Sequence, residues 1–408
     1  MPEVVVMVTS SYPRFPGDSV GTFMEPIAHN VAARGHEVHI VAPWHPLVRR
    51  PAADGGVHFH FYRYAPLPSL NVFGYAAAMR ADVSLKAAAF AAAPLALAAG
   101  WRTARRVARK FGATIMHGHW VVPGGVTAAL AAPGVPLVVS LHGSDVFVAE
   151  RLAPARLAAR RTFRRAGFVT ACSADLASRA VRLGADPTRT AVVPYGVDTS
   201  RFKPDAAARQ DHRTKLRLGD DVLLIAAAGR LVRKKGFEYL IDAMARIDGA
   251  VLVLAGTGTL EQELLARARD LGITDRLRFP GNQSQDEIAA LFAAADIIVT
   301  PSIRDDAGNV DGLPNVVLEA LASGTPLITT EAGGIGTVVQ AGLTAEVVAE
   351  RDGQAIAAAV NRLRSPDARA RLGAAARQLV ERQFGWPRTA EGMEDAYRRA
   401  LAFTRTRR

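Results

Sequence analysis

The chain has 408 residues, of which 49% are hydrophobic and 22% are charged. This is the composition of a soluble globular protein, and at about 100–200 residues per domain the length favours two domains. The single cysteine, Cys172, excludes an intramolecular disulfide and is consistent with a reducing cytoplasm. No set of Cys and His residues has the spacing of a zinc site.

The charge balance is basic, since 50 Lys and Arg against 38 Asp and Glu give a formal net charge of +12. Such a balance favours phosphates, nucleic acid or an anionic membrane as partners, although a bias toward Arg and Ala accounts for it equally well. Basic residues form two clusters in the N-terminal half. These are Arg102, Arg105, Arg106, Arg109 and Lys110, and then Arg151, Arg156, Arg160, Arg161, Arg164 and Arg165.

In chain order, short apolar runs alternate with amphipathic segments. Met1–Thr9 lacks the features of a signal peptide and predicts a buried strand from Val4, while the Ala-rich Ala87–Trp101 is too short to span a membrane and predicts a buried or surface-lying helix. The predicted strands are Val4–Thr9, Val38–Ala42, Leu137–Leu141, Phe168–Ala171, Val222–Ala228, Val251–Ala255, Ile297–Thr300 and Leu327–Thr330. The predicted helices include Phe23–Ala33, Pro154–Ala166, Phe237–Ala245, Leu260–Asp270, Gln285–Ala294 and Asn315–Ala322.

This alternation predicts an α/β fold with two Rossmann-like, doubly wound domains that face a central cleft. The polar stretch Asp198–Asp221, which has no apolar periodicity, marks the boundary. The N-terminal domain would span residues 1–200 and be rejoined by a helix over 387–408, and the C-terminal domain would span 201–386. Ligands bind at the carboxyl ends of the strands in such folds.

A basic turn follows the predicted strand Val222–Ala228. In it Arg230 offers a planar fork to phosphate oxygens and Lys235 a mobile charge, while Gly236 opens a helix whose free N–H groups favour an anion. A diphosphate suits this turn, and a solvated basic turn is the alternative.

An acidic segment begins at Asp311 and ends at Glu319, about one turn into a predicted helix. Gly312 lets the backbone approach a ligand closely, and an ionised carboxylate accepts from two hydroxyls at once, which suits a vicinal diol. Helix capping by these acids is the alternative.

Two further loops follow predicted strands in the first half. His142, with Gly143 and Asp145 after it, could hydrogen-bond a substrate hydroxyl, whereas a lone histidine is more often structural. Gly21 precedes the first helix and could present backbone N–H groups to a phosphate or sugar, or belong to a plain turn. Neither a dinucleotide fingerprint nor a phosphate-binding P-loop is present.

With these pieces in order, the chain resembles glycosyltransferase family 4, whose fold is GT-B, over nearly its whole length. The resemblance is carried by motifs whose order and spacing match. They are Arg34-Gly35-His36-Glu37-Val38, His117-Gly118-His119-Trp120, His142-Gly143-Ser144-Asp145, Pro194-Tyr195-Gly196-Val197-Asp198, Gly229-Arg230-Leu231, Lys235-Gly236, Ala255-Gly256-Thr257-Gly258, the Asp311–Glu319 segment, Ser323-Gly324-Thr325-Pro326 and Gly333-Gly334-Ile335.

The resemblance implies a role for each candidate residue. Arg230 and Lys235 would hold the donor diphosphate, Glu319 would bind the ribose, and Asp311 would contact hydroxyls of the transferred sugar. His142 would contact the sugar near its reacting carbon, and it would be catalytic together with Arg230, Lys235 and Asp311. The remaining substrate-binding residues would be Gly312 and Leu313 beside that sugar, Gly281 and Asn282 beside the base, and Gly21, at the diphosphate, with Asp145 in the other domain.

The resemblance also implies a reaction. It is a retaining transfer of a hexose from a UDP- or GDP-sugar to a lipid-linked, polysaccharide or small-molecule acceptor, with no metal or other cofactor. No nucleic acid partner is expected. The location would be the cytoplasm, with peripheral binding to an anionic membrane motivated by the basic clusters.

Two positions depart from the family pattern. Asp311 stands where the family has Glu, and Gly336-Thr337 replaces the usual Pro-Glu after Gly333-Gly334-Ile335. The segment Ile303–Val310 is also longer than a bare family loop. The sequence leaves open another GT-B enzyme, such as a UDP-sugar 2-epimerase or a phosphorylase, and a non-catalytic basic protein that binds membrane or nucleic acid.

Overall fold

The computed structural model describes residues 2–18, 20–71, 73–75, 79–81, 84–85, 87–219 and 221–406, without the side chains of 79–81, 84–85 and 87–91. The chain divides into two compact units. The first unit is Met1–Tyr195 with Trp386–Arg408, and the second unit is Gly196–Gly385.

The first unit is built on a sheet of eight described strands. Strands along the chain are β1 (Val4–Val8), β2 (Glu37–Pro43), β3 (Ala53–Asp54), β4 (Val57–Tyr62), β5 (Met79–Ala81), β6 (Ser84–Leu85), β7 (Ile115–His119), β8 (Leu137–Leu141), β9 (Phe168–Ala171) and β10 (Thr190–Val192). The sheet order is β10-β9-β8-β7-β1-β2-β4-β3, and its neighbours are parallel except β3 and β4. The remaining strands, β5 and β6, pair with each other.

Helices connect these strands. They are α1 (Met24–Ala33), α2 (Ala87–Lys110), α3 (Val126–Ala131), α4 (Ser144–Arg151), α5 (Ala153–Arg165) and α6 (Ala174–Arg182). The predicted helix at Ala87–Trp101 is confirmed as the first part of α2. No helix in the described ranges is both long and apolar enough to cross a membrane.

The second unit has a parallel sheet of six described strands in the order β13-β12-β11-β14-β15-β16. Its strands are β11 (Leu223–Ala228), β12 (Ala250–Ala255), β13 (Leu277–Arg278), β14 (Ile297–Thr300), β15 (Leu327–Thr329) and β16 (Glu346–Val347). Its helices are α7 (Ala206–Lys215), α8 (Phe237–Met244), α9 (Glu261–Asp270), α10 (Gln285–Ala294), α11 (Asn315–Ala322), α12 (Gly353–Arg362) and α13 (Pro366–Gln383).

A last helix, α14 (Trp386–Arg405), returns to the first unit, where it packs on α1, β8 and β9. Thr389 on this helix donates to the carbonyl of Pro194 at 3.0 Å. Residues 407 and 408 of the helix predicted over 387–408 lie outside the described residues.

The α/β fold with two parallel, Rossmann-like sheets is confirmed. The eight predicted strands and the six helices listed with them lie within one residue of their observed bounds. Two other predicted helices have different ends, because α2 continues beyond Trp101 to Lys110 and α14 is Trp386–Arg405 where 387–408 was expected. All six residues of β11 are buried, as expected for a parallel strand covered on both faces, so its sequence is apolar without alternation.

The stretch Asp198–Asp221, predicted as the boundary, lies at the beginning of the second unit. The unit changes at Tyr195–Gly196, before this stretch, and the stretch contains α7. Its charges are structural, because Arg213 is buried and donates to Asp296 at 3.1 Å. An ion-paired helix has the same polar composition as a linker, and only the tertiary contact distinguishes them.

Candidate functional site

Loops at the carboxyl ends of three strands in the second unit touch through their backbones. A Cβ at Gly256 would lie 1.9 Å from the carbonyl oxygen of Gly229, and one at Gly236 would lie 2.0 Å from that of Pro301. Only glycine permits these approaches. The loops after β11, β12 and β14 are therefore held against each other.

The basic turn lies in the middle of these loops. Lys234 accepts from the backbone N–H of Ile303 at 2.8 Å, and Leu231 donates to Thr257 at 2.9 Å. Gly236 is left-handed, with φ of 65°, and precedes α8 without a side-chain cap. The prediction that Gly236 opens a helix is confirmed, and Arg230 lies exposed on the same turn.

Asp311 is held between two consecutive lysines. The Nζ of Lys234 lies 2.9 Å from its Oδ1 and the Nζ of Lys235 lies 2.7 Å from its Oδ2. Burial alone would raise the pKa of Asp311, but the two ammonium groups outweigh it and hold the pKa well below its usual range. The ionised carboxylate has further lone pairs with which it can accept from another donor.

Asp311 does not cap α11. Pro314 precedes the helix, and no side chain caps its first turn. Glu319, inside the helix, has a pKa raised to about 7 by burial, against the opposing charges of Lys235 and Arg201. The positive charge of Lys235, in the basic turn, thus acts on both Asp311 and Glu319.

Two buried amide oxygens that lack a hydrogen-bond partner in the described part of the chain belong to residues close to Asp311 in the sequence. The Nδ2 of Asn309 donates to Asp305 at 2.8 Å, and because a carboxylate only accepts, the Oδ1 of Asn309 faces the other way. That Oδ1 and the Oδ1 of Asn315 are buried and have no hydrogen-bond partner among the described residues. Each such atom costs about 1–3 kcal/mol. A ligand rich in hydroxyl groups would satisfy them.

Two further loops border this region. Gly281 accepts from the backbone N–H of Gly256 at 2.7 Å, which brings the Gly281–Asn282 turn to the end of β12. A Cβ at Gly333 would lie 2.1 Å from the carbonyl oxygen of Asp311. Of the residues after Asp311, Gly312 and Leu313 are buried.

In the first unit, His142 belongs to a hydrogen-bonded stack of rings. Its Nδ1 lies 2.6 Å from the hydroxyl of Tyr195, and its Nε2 lies 3.0 Å from the Nδ1 of His119. Phe23 and Trp120 pack on the same imidazole, with centroids at 4.8 and 4.6 Å. Burial, with a smaller contribution from His117, lowers the pKa of His142 to about 3. His142 is therefore a neutral ring of fixed orientation.

Asp145 organises the backbone of this site. Its Oδ1 accepts from the N–H groups of His142 and Gly143 at 3.3 and 3.0 Å, and its Oδ2 accepts from Val121 at 2.8 Å. The residue is 2% exposed. The structure thus shows Asp145 holding the His142 loop, while a direct substrate contact stays a prediction.

Gly21 lies three residues before α1. Its φ is 67°, its carbonyl accepts from Met24 at 2.9 Å, and a Cβ there would lie 3.0 Å from the Oγ of Ser11. A side chain at this position would be strained and crowded, so the loop requires glycine whether or not it meets a ligand.

Sequence reasoning missed three residues. Lys234 precedes a lysine that was chosen, and the doubled lysine before a glycine was the available signal. Tyr195 and His119 lie in motifs that were quoted, but no pattern in the sequence indicates that their side chains meet His142.

A metal site would require a group of His, Cys, Asp or Glu side chains. Among residues that the structure describes, no three His, Cys, Asp or Glu side chains form a group that could hold a metal ion. Asp305 accepts from the backbone and side chain of Asn309, and Asp306 pairs with Arg351 at 2.7 Å. Independence from metal stays a prediction.

Two family models match the chain. The model described as "Glycosyltransferase Family 4" matches residues 20–201, and "Glycosyl transferases group 1" matches residues 208–379. A GDP-mannose-dependent alpha-(1-6)-phosphatidylinositol monomannoside mannosyltransferase of Mycobacterium tuberculosis is 36% identical over 282 residues, 66% of this chain and 73% of that protein.

The chain belongs to glycosyltransferase family 4. It is therefore a glycosyltransferase, and the group 1 model spans both the basic turn and the Asp311–Glu319 segment.

Solved structures agree with the GT-B fold of this family 4 enzyme. Sucrose-phosphate synthase from Thermosynechococcus elongatus has a TM-score of 0.78 at 20% identity, covering 98% of this chain and 99% of that one. Anabaena HepE in complex with UDP-glucose has a TM-score of 0.72 at 18% identity, covering 96% and 98%.

Proposed function

We propose that this glycosyltransferase transfers a hexosyl group from a nucleotide-sugar to an acceptor hydroxyl, with retention of anomeric configuration and without a metal. The observation that carries the proposal is the turn of Arg230, Lys234 and Lys235 beside Asp311. Cations at the end of β11 suit a diphosphate, and the Asp311 carboxylate with the buried amide oxygens of Asn309 and Asn315 suits the hydroxyls of a sugar. A GDP-mannose-dependent relative and a UDP-glucose-bound structural neighbour support a nucleotide-sugar donor.

In this proposal, different residues of the second unit bind different parts of the donor. Arg230 and Lys235 neutralise the charge that develops on the leaving nucleoside diphosphate, which is the task a metal ion has in other transferases. Glu319 binds the ribose hydroxyls, and Asp311 accepts from the sugar, assisted by the backbone at Gly312 and Leu313. The turn at Gly281 and Asn282 borders the base.

The first unit supplies the remaining contacts. His142 hydrogen-bonds the sugar near its reacting carbon, with Asp145 holding its loop, and Gly21 approaches the diphosphate. The acceptor oxygen forms a bond to the anomeric carbon as the bond to the phosphate oxygen breaks. That phosphate oxygen takes the acceptor proton on the same face, so configuration is retained.

The acceptor is a lipid-linked or polysaccharide glycan at the cytoplasmic face of the membrane, in cell-envelope or exopolysaccharide synthesis. The surface of α2, α3 and α5 supports a membrane partner. These three helices contain ten Lys and Arg residues, five in α2 and five in α5, and no Asp or Glu. They are neighbours, because Trp101 donates to Leu130 at 3.1 Å and Arg165 donates to Ala132 at 2.8 Å.

Apolar side chains lie on the same helices. Leu95, Leu130 and Leu157 are 60%, 60% and 48% exposed. Leucines can enter the headgroup region, while each Lys or Arg near an anionic leaflet gains about 1 kcal/mol.

Donor binding is tested by titrating UDP-, GDP- and ADP-sugars into the protein, with GDP-mannose first. The wild type should bind one of them, and an Arg230→Ala, Lys235→Ala double variant should lose at least tenfold in affinity. Unchanged affinity in the double variant would contradict the assignment of the donor site. Incubation with the donor alone should leave its sugar unchanged, since formation of an epimer would indicate an epimerase.

Membrane binding is tested with vesicles of phosphatidylglycerol and of phosphatidylcholine. We expect salt-sensitive binding to the anionic vesicles, reduced at least tenfold by Arg102→Glu, Arg109→Glu and Arg161→Glu together. The matched control reverses three exposed arginines of α14, Arg388, Arg398 and Arg399. Equal loss from both sets would show a response to net charge rather than to this surface.

A further inference from the structure

We propose that Lys234 is a positioning residue, which holds the Asp311 carboxylate while Lys235 moves from that carboxylate to the donor diphosphate. This inference rests on the proposed function, since it concerns the same donor site. It assigns different tasks to two adjacent lysines.

The backbone of the turn fixes both lysines. Lys235 donates to the carbonyl of Val232 at 3.0 Å, Gly236 donates to that of Arg233 at 2.9 Å, and Ile303 donates to Lys234. The two ammonium groups therefore reach Asp311 from one rigid turn, one on each carboxylate oxygen.

The two side chains take different courses. The stem of Lys235 runs beside Gly229, where its Cε lies 3.4 Å from the position of an added Cβ, next to the exposed Arg230. The charge of Lys235 also acts on Glu319 as well as on Asp311. Lys235 thus lies toward the proposed diphosphate and ribose contacts, whereas Lys234 is 9% exposed and its Nζ lies 2.9 Å from Oδ1 of Asp311.

Electrostatics then explains why two lysines are needed. A buried carboxylate that loses its only cation is strongly destabilised. With Lys235 alone, Asp311 would compete with the diphosphate for the same ammonium group. With Lys234 in place, Asp311 stays paired and ionised, Lys235 becomes available to the phosphates, and one net positive charge remains among the three groups.

The test uses UDP and GDP as probes, because a nucleoside diphosphate lacks the sugar that Asp311 is proposed to contact. Dissociation constants are measured by calorimetry, and kcat and KM with the donor found above. The variants are Lys234→Met, Lys234→Arg, Asp311→Asn and the Lys234→Met, Asp311→Asn pair. Lys215→Met is the matched control, since Lys215 lies on α7 and its side chain is 68% exposed.

Lys234→Met should weaken nucleoside diphosphate binding at least tenfold, because Asp311 then retains Lys235. Lys234→Arg should bind within about threefold of wild type. The paired variant should regain the affinity to within about threefold, because no carboxylate competes, while kcat with the sugar donor stays at least tenfold low. A merely structural role would make the paired variant bind no better than Lys234→Met.

Asp311→Asn alone keeps the inference testable if Lys234→Met fails to fold. This variant should bind nucleoside diphosphate at least as tightly as wild type, and weaker binding would overturn the inference. Wild-type affinity in folded Lys234→Met would also overturn it. If Arg230→Ala, Lys235→Ala loses affinity while Lys234→Met does not, this inference fails and the proposed function stands.

Discussion

The strand-end loops of the two units carry different kinds of polar side chain. In the second unit, two ammonium groups each lie within 3 Å of an oxygen of one carboxylate, on loops locked by glycine contacts. In the first unit, imidazole, phenol and indole rings form a neutral stack in which burial lowers the histidine pKa and raises that of Tyr195. The same parallel architecture thus produces one site governed by charge and one governed by the direction of hydrogen bonds.

This difference predicts which substitutions should impair each candidate site. Substitutions that alter charge should disable the second unit's site, because an anion is bound by the sum of nearby cations. Substitutions that disturb the contacts between its loops should disable it as well. Changes that keep charge but remove one hydrogen bond should matter in the first unit, since orientation is what its neutral histidine contributes.

The largest expected effect comes from loop contact in the second unit. Gly236→Ala places a Cβ 2.0 Å from the oxygen of Pro301 and should lower the free energy of unfolding by about 4 kcal/mol or more. Gly272→Ala is the matched control, because its φ of 67° is nearly the same but no atom lies within 4 Å, so it should lose about 1–2 kcal/mol. Urea denaturation measures both, and equal losses would contradict the crowding argument.

The next effect concerns the neutral histidine of the first unit. His142→Ala should lower kcat about 100-fold, the usual consequence of losing one preorganised polar contact to the reacting group. Nucleoside diphosphate affinity, measured by calorimetry, should change little. His29→Ala on α1 serves as control, and a loss that appears in diphosphate affinity alone would assign His142 to binding instead.

A smaller effect is expected where only the orientation of His142 is changed. Tyr195→Phe removes the hydroxyl 2.6 Å from Nδ1, which corresponds to about 1 kcal/mol and roughly a fivefold fall in kcat. Because Tyr195 acts through the imidazole, the His142→Ala, Tyr195→Phe pair should be no slower than His142→Ala. Multiplied losses in steady-state kinetics would show an independent role for the phenol.

A further effect, on stability and not on rate, concerns pH and the second unit. The pKa of Glu319 is about 7 in the folded chain, above its ordinary value of 4.5. The folded state therefore keeps a proton that the unfolded state has released, so this contribution to stability is full below about pH 4.5 and is lost as pH rises to about 7. Glu319→Gln should flatten that part of the melting-temperature profile, whereas Glu331→Gln, at an exposed site, should leave the profile as in wild type.

The sequence by itself determined the elements and the family. Apolar runs such as Leu137–Leu141 and Val222–Ala228 predict their strands because a strand covered on both faces needs uninterrupted apolar residues. Glycine at 236 and the spacing from Asp311 to Glu319 also indicated the loops that carry the candidate donor site, since these signals are local.

Only the tertiary structure decided which side chains meet. Lys234 and Asp311 are separated by 76 intervening positions, and His142 and Tyr195 by 52. Nothing local distinguishes a lysine that faces solvent from one that neutralises a buried acid, and the same holds for the charges of α7. Long-range pairing depends on how parallel strands bring their carboxyl ends to one edge, so partners, burial and pKa values followed from the fold and not from the motifs.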